Sequence, residues 1–536
     1  INGYRVRQAC FHTPCFDALR TGIRHRCTAM LKLEHPNPRA SWNKLSFMLK
    51  TASHLTLQTS RAYTWLHMKR SLHITTPLKN FPFVLTDAAD IEPYLLERRK
   101  KYQGQSSVVA RPKSVQEIKS IVEVCIEDRI SIVPQGGNTG LCGGAVSESG
   151  QLVLSLERLN QIREIDSANN TITVEAGCIL ANIQNTAQEA RRFFPVSLAA
   201  EGSCQIGGNL ATNAGGINVL RYGNTREQVL GLEAILPNGS LFSDLAGLRK
   251  DNTGYDLKQL LIGSEGTLGI ITAATLKLYP YPDHSVTAFV ALKDLETSIS
   301  FLALATELSG GTLCSFELIP HIGLEFACRH ISTCEPPLSS EHDWYVLLSL
   351  QTSGSTINLD ETLEALLESA LEAHLIDDAV LAANEAQAAR LWKIREGIVE
   401  GQLFEGGSIK HDISIPVSKV PRFITEASKA VSQRIPGIRP CPFGHVGDGN
   451  IHFNLSQPVS MGKDEFLSRW EENSEIVQDI VDRLGGSFSA EHGIGMLKLN
   501  DMQRYKDNVA LDTMRAIKKA LDPENLFNPG KVLPRF

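Results

Sequence analysis

Two short segments carry side chains able to hold a metal and move a proton. GHVGDGNIHFN (Gly444 to Asn454) sets His445 and His452 seven residues apart around Gly447-Asp448-Gly449, and SAEHGIG places Glu491 beside His492. The glycines argue against a helix through the first segment. Two strands joined by a tight turn would instead bring both imidazoles to one point, with Glu491 as a third ligand. Two histidines and one carboxylate with open positions is a catalytic, not a structural, metal pattern. On spacing alone, however, H-x6-H fits hydrogen-bonded structural histidines better.

A second group of segments is rich in glycine. PQGGNTGLCGG (Pro134 to Gly144) holds five glycines, and EGSCQIGGNLATNAGG (Glu201 to Gly216), LPNG (Leu236 to Gly239) and IGSEGTLGIIT (Ile262 to Thr272) repeat its small-residue and amide composition. Such loops allow positive φ and close backbone approach, and successive amides can form an anion nest, with Asn138 and Thr139 as further donors. One loop of this kind is an ordinary turn; four within about 140 residues point to one large phosphate-bearing cofactor. G-x-G-x-x-G fails, because His452 and Lys498 stand where third glycines would follow Gly447/Gly449 and Gly493/Gly495. G-x-x-x-x-G-K-[ST] fails too, since Gly462-Lys463 and Gly530-Lys531 lack the upstream glycine. A Rossmann site and a P-loop are disfavoured.

These loops need strands and helices to position them. Ser114 can cap a helix with apolar residues from Val115 to Ile126 at helical spacing, and Ile130 to Val133 then reads as a buried strand entering the first glycine loop. Leu152 to Leu156, Thr171 to Glu175, Leu232 to Leu236 and Leu268 to Leu278 read as further strands. Beyond about residue 283 the composition shifts to long helices at Leu359 to His374 and Ala382 to Glu400, so a domain boundary is expected near Tyr281.

PQGGNTGLCGG, FPVSLAAEGSCQIGGNLATNAGGINVLRYGNTREQVLGLEAILPNG and GSEGTLGIIT resemble the FAD-binding domain of the vanillyl-alcohol oxidase type, in its D-2-hydroxyacid dehydrogenase branch. The resemblance covers about residues 85 to 536. It implies an α+β fold: a two-subdomain FAD-binding domain at 76–281, an α+β substrate or cap domain with an antiparallel sheet at 282–485, and a C-terminal segment at 486–536 closing the active site on the FAD domain. Pro134, Gly136, Gly137, Asn138, Thr139, Gly140, Gly143, Gly208, Asn213, Gly216, Glu265, Gly266 and Ile270 inherit FAD contacts. FAD is expected to be non-covalent, as no His or Cys attachment motif is identifiable. His445, His452 and Glu491 inherit a divalent metal, usually zinc; His492 inherits the role of catalytic base and Asn454 a substrate contact. Arg395 and Lys410 match the residues that bind substrate carboxylates, although on residue pattern alone Arg395 pairs more simply with Glu396 or Glu400 on a solvated helix face. Val399 stands where animal and plant 2-hydroxyglutarate enzymes have Thr, which removes a hydroxyl from the substrate-binding set. The implied reaction is FAD-dependent oxidation of D-2-hydroxyglutarate, with D-lactate or glycolate as the alternative substrate. A flavin- or metal-binding protein without catalysis is disfavoured, because loops, metal motif and base occur together.

Composition bounds the rest. The 536 residues exceed one hydrophobic core and imply two or three domains. Forty-two per cent apolar and 21 % charged is ordinary globular composition. No apolar run reaches a bilayer-spanning length. Net charge −6 argues against nucleic acid. Eleven cysteines without a C-x-x-C pair fit a reducing compartment. Residues 1–67 carry ten basic residues against two acids, a balance of +8 that leaves −14 for the remainder. Residues 1–75 therefore read as a disordered mitochondrial presequence. Because the chain begins at Ile1, they read equally as upstream sequence before Met48 or Met68. The mitochondrial matrix is the expected location, the cytoplasm of a bacterium the alternative. The electron acceptor implied by the resemblance is an electron-transfer flavoprotein or a quinone-linked carrier, and a homodimer is a further expectation.

Overall fold

Ser114 opens the first long helix, Val115–Glu127, by accepting a hydrogen bond from the Glu117 amide. The helix buries Ile118, Ile121, Val122 and Cys125, the stripe that its spacing predicts. The computed structural model describes residues 74–98, 100–354 and 356–535; the presequence reading lies almost wholly outside them. Beneath this helix lies a four-stranded sheet in the order β1 (Val84–Leu85), β2 (Val109–Ala110), β4 (Gln151–Ser155), β3 (Ser131–Gln135). The β2/β4 and β4/β3 pairs are parallel, and β3 runs straight into the first glycine loop. Alternate residues serve two faces: Ile132, Leu152 and Leu154 pack under the helix, while Val109 and Val153 meet Ile91 on the other side.

A second, fully antiparallel sheet follows, ordered β5 (Ile162–Asp166), β6 (Thr171–Glu175), β10 (Ile270–Lys277), β8 (Val229–Ile235), β9 (Leu241–Asp244). The helices Leu180–Glu189 and Ile206–Thr212 cover it through Ile183, Ala187, Ile206 and Leu210. A short β7 (Arg192–Phe193) pairs with β11 (Tyr279–Pro280).

Between Pro280 and His284 the chain passes into a seven-stranded antiparallel sheet. Its order is β15 (Ile376–Leu381), β12 (His284–Leu292), β14 (Trp344–Thr352), β13 (Leu313–Pro320), β17 (Arg439–His445), β18 (Asn450–Ser456), β16 (Ser408–Ser414). On β12 the period-two rule is explicit. Ala288, Val290 and Leu292 join the core under helices Thr297–Leu308, Leu359–Glu372 and Val420–Arg434, whereas Phe289 and Ala291 face helices His321–His330 and Glu385–Gly401. Asn384 caps the last of these helices by accepting from the Gln387 amide.

The chain ends back on the first sheet. Phe527 is fully buried in that sheet's core, the Asn528 amide donates to Ile132 O (2.7 Å), and the Ile132 amide donates to Leu526 O (2.8 Å). Among the described residues no helix is long and apolar enough to cross a membrane.

Candidate active site

The first glycine loop, its neighbours at 205–212 and 265–271, and His492 line one cleft. Every residue assigned to FAD from the sequence lines it except Asn213 and Gly216. Asn213 ends helix Ile206–Thr212 in the left-handed region, and its Oδ1 accepts from the Arg226 amide (2.9 Å). Gly216 has φ +115°, and a Cβ there would lie 2.1 Å from Ser197 O. Both shape the loop behind the cleft.

Of the five glycines in Pro134 to Gly144, Gly143 alone has positive φ. Gly137 is required by close approach instead, since a Cβ there would sit 2.2 Å from Ser203 O. At Gly140 and Gly208 a Cβ would meet nothing within 4 Å, so the cleft has empty room beside the loop. No amide from Gly137 to Leu141 donates to an acceptor among the described residues. A row of unpaired amides beside open space fits a pyrophosphate. Asn138, itself at φ +51°, ties the loop to Leu96 O through its Nδ2. Glu265 is buried and acts as a strut: its carboxylate accepts the Ile494 and Gly495 amides (2.7 and 2.8 Å), and its carbonyl accepts from Asn528 Nδ2. Burial pushes its carboxyl above the usual range, against the two amides.

The histidine segment is the expected strand, turn and strand. β17 and β18 pair antiparallel with Phe443 opposite His452. Gly449 makes the turn with φ +81°, where a Cβ would fall 2.1 Å from Ile415 O. Alternation then sorts the side chains. Ile409, Ile413, Ile451, Phe453 and Leu455 enter the core on one face. Lys410, Asp412, Cys441, Phe443, His445, His452 and Asn454 share the other, with Lys410 opposite Asn454, Asp412 opposite His452 and Cys441 opposite Asn454. Residues 487–490 run along β16 through Ser414 and Ser487 backbone bonds and deliver Glu491 and His492 to this face.

Here the structure gathers four residues, Asp412, His452, Glu491 and His492, whose ligand atoms all lie within 4.8 Å of one another. Glu491 Oε1 is 3.7 Å from His452 Nε2 and 3.8 Å from His492 Nε2. Ligand atoms about 2.0–2.2 Å from a tetrahedral ion lie roughly 3.4 Å apart, so the gap suits one ion. His445 is outside this group of four. Its ring centroid is 5.5 Å from that of His452, and its Nδ1 donates to Glu317 Oε1 (2.5 Å). Burial opposes a proton on His445, yet the charge and hydrogen bond of Glu317 carry it up to about 9. Glu491 is pushed up to about 7, first by burial and then by the charge of Asp412. Two adjacent carboxylates in conflict, Asp412 buried and Glu491 part-buried, are the condition that a bound cation relieves.

Two carboxylates organise the face, and neither stands in a motif. Asp412, 3 % exposed, accepts the Glu491 and His492 amides (3.0 and 2.9 Å) and Asn450 Nδ2 (2.9 Å). Its oxygens also approach His452 Nδ1 (3.8 Å) and His492 Nδ1 (3.4 Å). Burial would raise its carboxyl, but His492, Lys498 and His452 drive it far below the usual range. Glu317, on β13 and opposite His445, takes His445 on one oxygen and Arg395 Nε on the other (2.7 Å). Arg395 therefore does not pair with Glu396 or Glu400; Lys393 does. Its guanidinium lies over Phe443, 4.8 Å from the ring centre. Asn454 Nδ2 donates to Gln402 Oε1 (2.9 Å). Val399, one turn after Arg395, is 41 % exposed. A lone acid in an apolar strand (LCSFELIP) and a polar alternation in KHDIS were the available signals for Glu317 and Asp412.

Residues 106–244 match the FAD binding domain family, and residues 281–532 match the FAD linked oxidases, C-terminal domain. The mitochondrial D-2-hydroxyglutarate dehydrogenase of Arabidopsis thaliana is 38% identical over 84% of this chain and 79% of its own length. The D-2-hydroxyglutarate dehydrogenase of Xanthomonas citri is 38% identical over 83% and 93%. A D-2-hydroxyglutarate–pyruvate transhydrogenase of Saccharomyces cerevisiae is 34% identical over 81% and 88%. In fold the chain is similar to p-cresol methylhydroxylase, with TM-score 0.68 at 17% identity over 86% of this chain and 96% of that one. It is also similar to the 4-ethylphenol oxidase of Gulosibacter chungangensis, with TM-score 0.66 at 17% identity over 86% and 97%. With a flavin domain and an oxidase C-terminal domain matched in order, and identity of this extent across most of its length, the chain belongs to the FAD-linked D-2-hydroxyacid dehydrogenases of the vanillyl-alcohol oxidase type and is an FAD-dependent oxidoreductase.

Proposed function

We propose that the protein oxidises D-2-hydroxyglutarate to 2-oxoglutarate, with non-covalent FAD and a divalent metal, zinc by the family resemblance, held by His452 and Glu491 of the cluster and, by the same resemblance, His445. When bound, FAD accepts the hydride, and the metal polarises the substrate's hydroxyl and carboxylate oxygens. The observation that carries the reading is the position of His492: of the four clustered residues it alone also lines the flavin cleft. As base, His492 takes the hydroxyl proton while Asp412 holds its Nδ1 side. Arg395 gives its Nε to Glu317, which leaves its two terminal nitrogens to grip a carboxylate bidentately. Lys410, opposite Asn454 on the same face, supplies a second cation, and Asn454 a polar contact.

A monocarboxylate would leave one of these cations without a substrate anion. A hydrogen bond to a charged group is worth about 1.5 to 3 kcal/mol. Lys410 is partly exposed, so about a hundredfold preference for the dicarboxylate is expected. The test is catalytic efficiency on D-2-hydroxyglutarate and D-lactate with an artificial dye acceptor, for the parent and for Lys410→Met. The parent should favour D-2-hydroxyglutarate, and the variant should lose more on that acid than on lactate. A parent that prefers lactate moves the assignment to D-lactate or glycolate dehydrogenase. Val399, which offers no hydroxyl, and the pyruvate in the yeast relative's name favour that second reading. Absence of flavin reduction by any D-2-hydroxy acid under anaerobic conditions would contradict both.

The basic residues 1–67 and the mitochondrial placement in the plant relative's name support the mitochondrial matrix. An electron-transfer flavoprotein as acceptor and a homodimer rest on the family resemblance.

A further inference from the structure

The two halves of the substrate face meet on one side chain. Glu317 is 1 % exposed; its Oε1 takes His445 Nδ1 at 2.5 Å and its Oε2 takes Arg395 Nε at 2.7 Å. β13 fixes this position, because Glu317 lies directly opposite His445 in the sheet while Arg395 reaches it from helix Glu385–Gly401. We propose that Glu317 is a positioning residue that couples carboxylate binding at Arg395 to metal binding at His445. The proposal rests on the reading that His445 is a zinc ligand and Arg395 a substrate clamp.

The coupling follows from one negative charge being shared by two donors. When an anion engages the outer nitrogens of Arg395, less of the guanidinium's charge is directed at Oε2, and more of the carboxylate's charge is left for Oε1. That strengthens the bond to His445 Nδ1–H. A carboxylate on one ring nitrogen makes the other a better metal ligand, which is how hydrogen-bond partners behind a ligand tune metal affinity. The link is reciprocal: the factor by which a bound carboxylate tightens the metal is the factor by which the metal tightens the carboxylate. Burial matters here, since an exposed carboxylate would have its charge screened by water rather than divided between two partners.

The experiment measures zinc affinity of the FAD-loaded protein by competition with a fluorescent chelator, with and without saturating glutarate. Glutarate carries two carboxylates but no hydroxyl, so it cannot present the alcohol oxygen to the ion. In the parent it should tighten zinc about fivefold or more, the lower end of typical linkage. In Glu317→Gln the neutral amide cannot divide a charge, and the factor should fall below the parent's to the part due to glutarate's own carboxylate meeting zinc. Glu317→Asp keeps the charge but is one methylene too short to span both partners, so its factor should fall to the same level. The aspartate variant also decides the outcome if the glutamine variant does not load FAD. An unchanged factor in an FAD-loaded variant overturns the proposal while leaving the zinc site standing. A parent that binds no zinc overturns the zinc reading and the proposal together. A residue needed merely for folding would lower FAD content and zinc affinity without changing the ratio that glutarate produces.

Discussion

The flavin cleft and the histidine face are made of different materials. The cleft is lined chiefly by backbone: glycines, amides and a strut, Glu265, that holds the Ile494 and Gly495 amides. The histidine face is made of side chains that alternate out of three adjacent strands, with two buried carboxylates behind them. Backbone surfaces fail when an atom is added, because the chain has nowhere to move. Side-chain surfaces fail when a partner is removed, because a buried polar group is then left exposed to an apolar interior.

The largest effect should come from adding atoms to the cleft. Gly137→Val places a branched side chain where even a Cβ would lie 2.2 Å from Ser203 O, so the protein should purify without flavin, read as loss of the absorbance near 450 nm. Gly140→Ala is the control from the same loop. Nothing lies within 4 Å of its Cβ, so the loop should keep its shape and the variant should load more flavin than Gly137→Val. Equal loading of both variants would show that the loop can shift and that the contrast is false.

Removal dominates on the other face. His492→Ala should lower kcat about 100- to 10,000-fold, the usual cost of losing a general base, while FAD and zinc contents stay at parental levels. Loss of zinc along with activity would instead make His492 a ligand, as its 3.8 Å approach to Glu491 also allows. Asp412→Asn should do less: zinc affinity about 10- to 100-fold weaker, as for other orienting partners of metal-bound histidine. Unchanged affinity would reduce Asp412 to a support for the 491–492 turn.

The same contrast governs what can be read from the sequence. Glycine density announced the cleft, and Ser114, Thr171 to Glu175 and the strand–turn–strand around Gly449 fell where spacing placed them. The reason for Gly137 did not: it is needed for contact with residue 203, not for positive φ, and no local pattern reports a neighbour 66 positions away. Asp412 and Glu317 stayed hidden for a similar reason. Asp412 meets Glu491 across 79 positions and Glu317 meets His445 across 128, so each becomes a partner through strand order, which a single strand's pattern does not encode. Arg395 shows the opposite error. Its helical neighbours Glu396 and Glu400 are the obvious partners on paper, but the helix turns Arg395 inward to Glu317 and leaves those acids to Lys393.

The smallest effect tests whether the comparison extends to specificity. Val399 lies one turn beyond Arg395 on the same helix and is 41 % exposed, so Val399→Thr changes a methyl to a hydroxyl at nearly constant volume without disturbing a packed core. If the distal carboxylate of D-2-hydroxyglutarate reaches this turn, the new hydroxyl adds one hydrogen bond. One such bond is worth about 1 kcal/mol, which corresponds to roughly fivefold in kcat/KM. D-lactate has no distal carboxylate and should gain nothing, so the ratio of the two efficiencies isolates the bond from any change in helix stability. A gain on both acids would mean that the threonine acts on the fold of the helix and not on the substrate. No gain on either would place the distal carboxylate away from residue 399 and leave its recognition to Arg395 and Lys410.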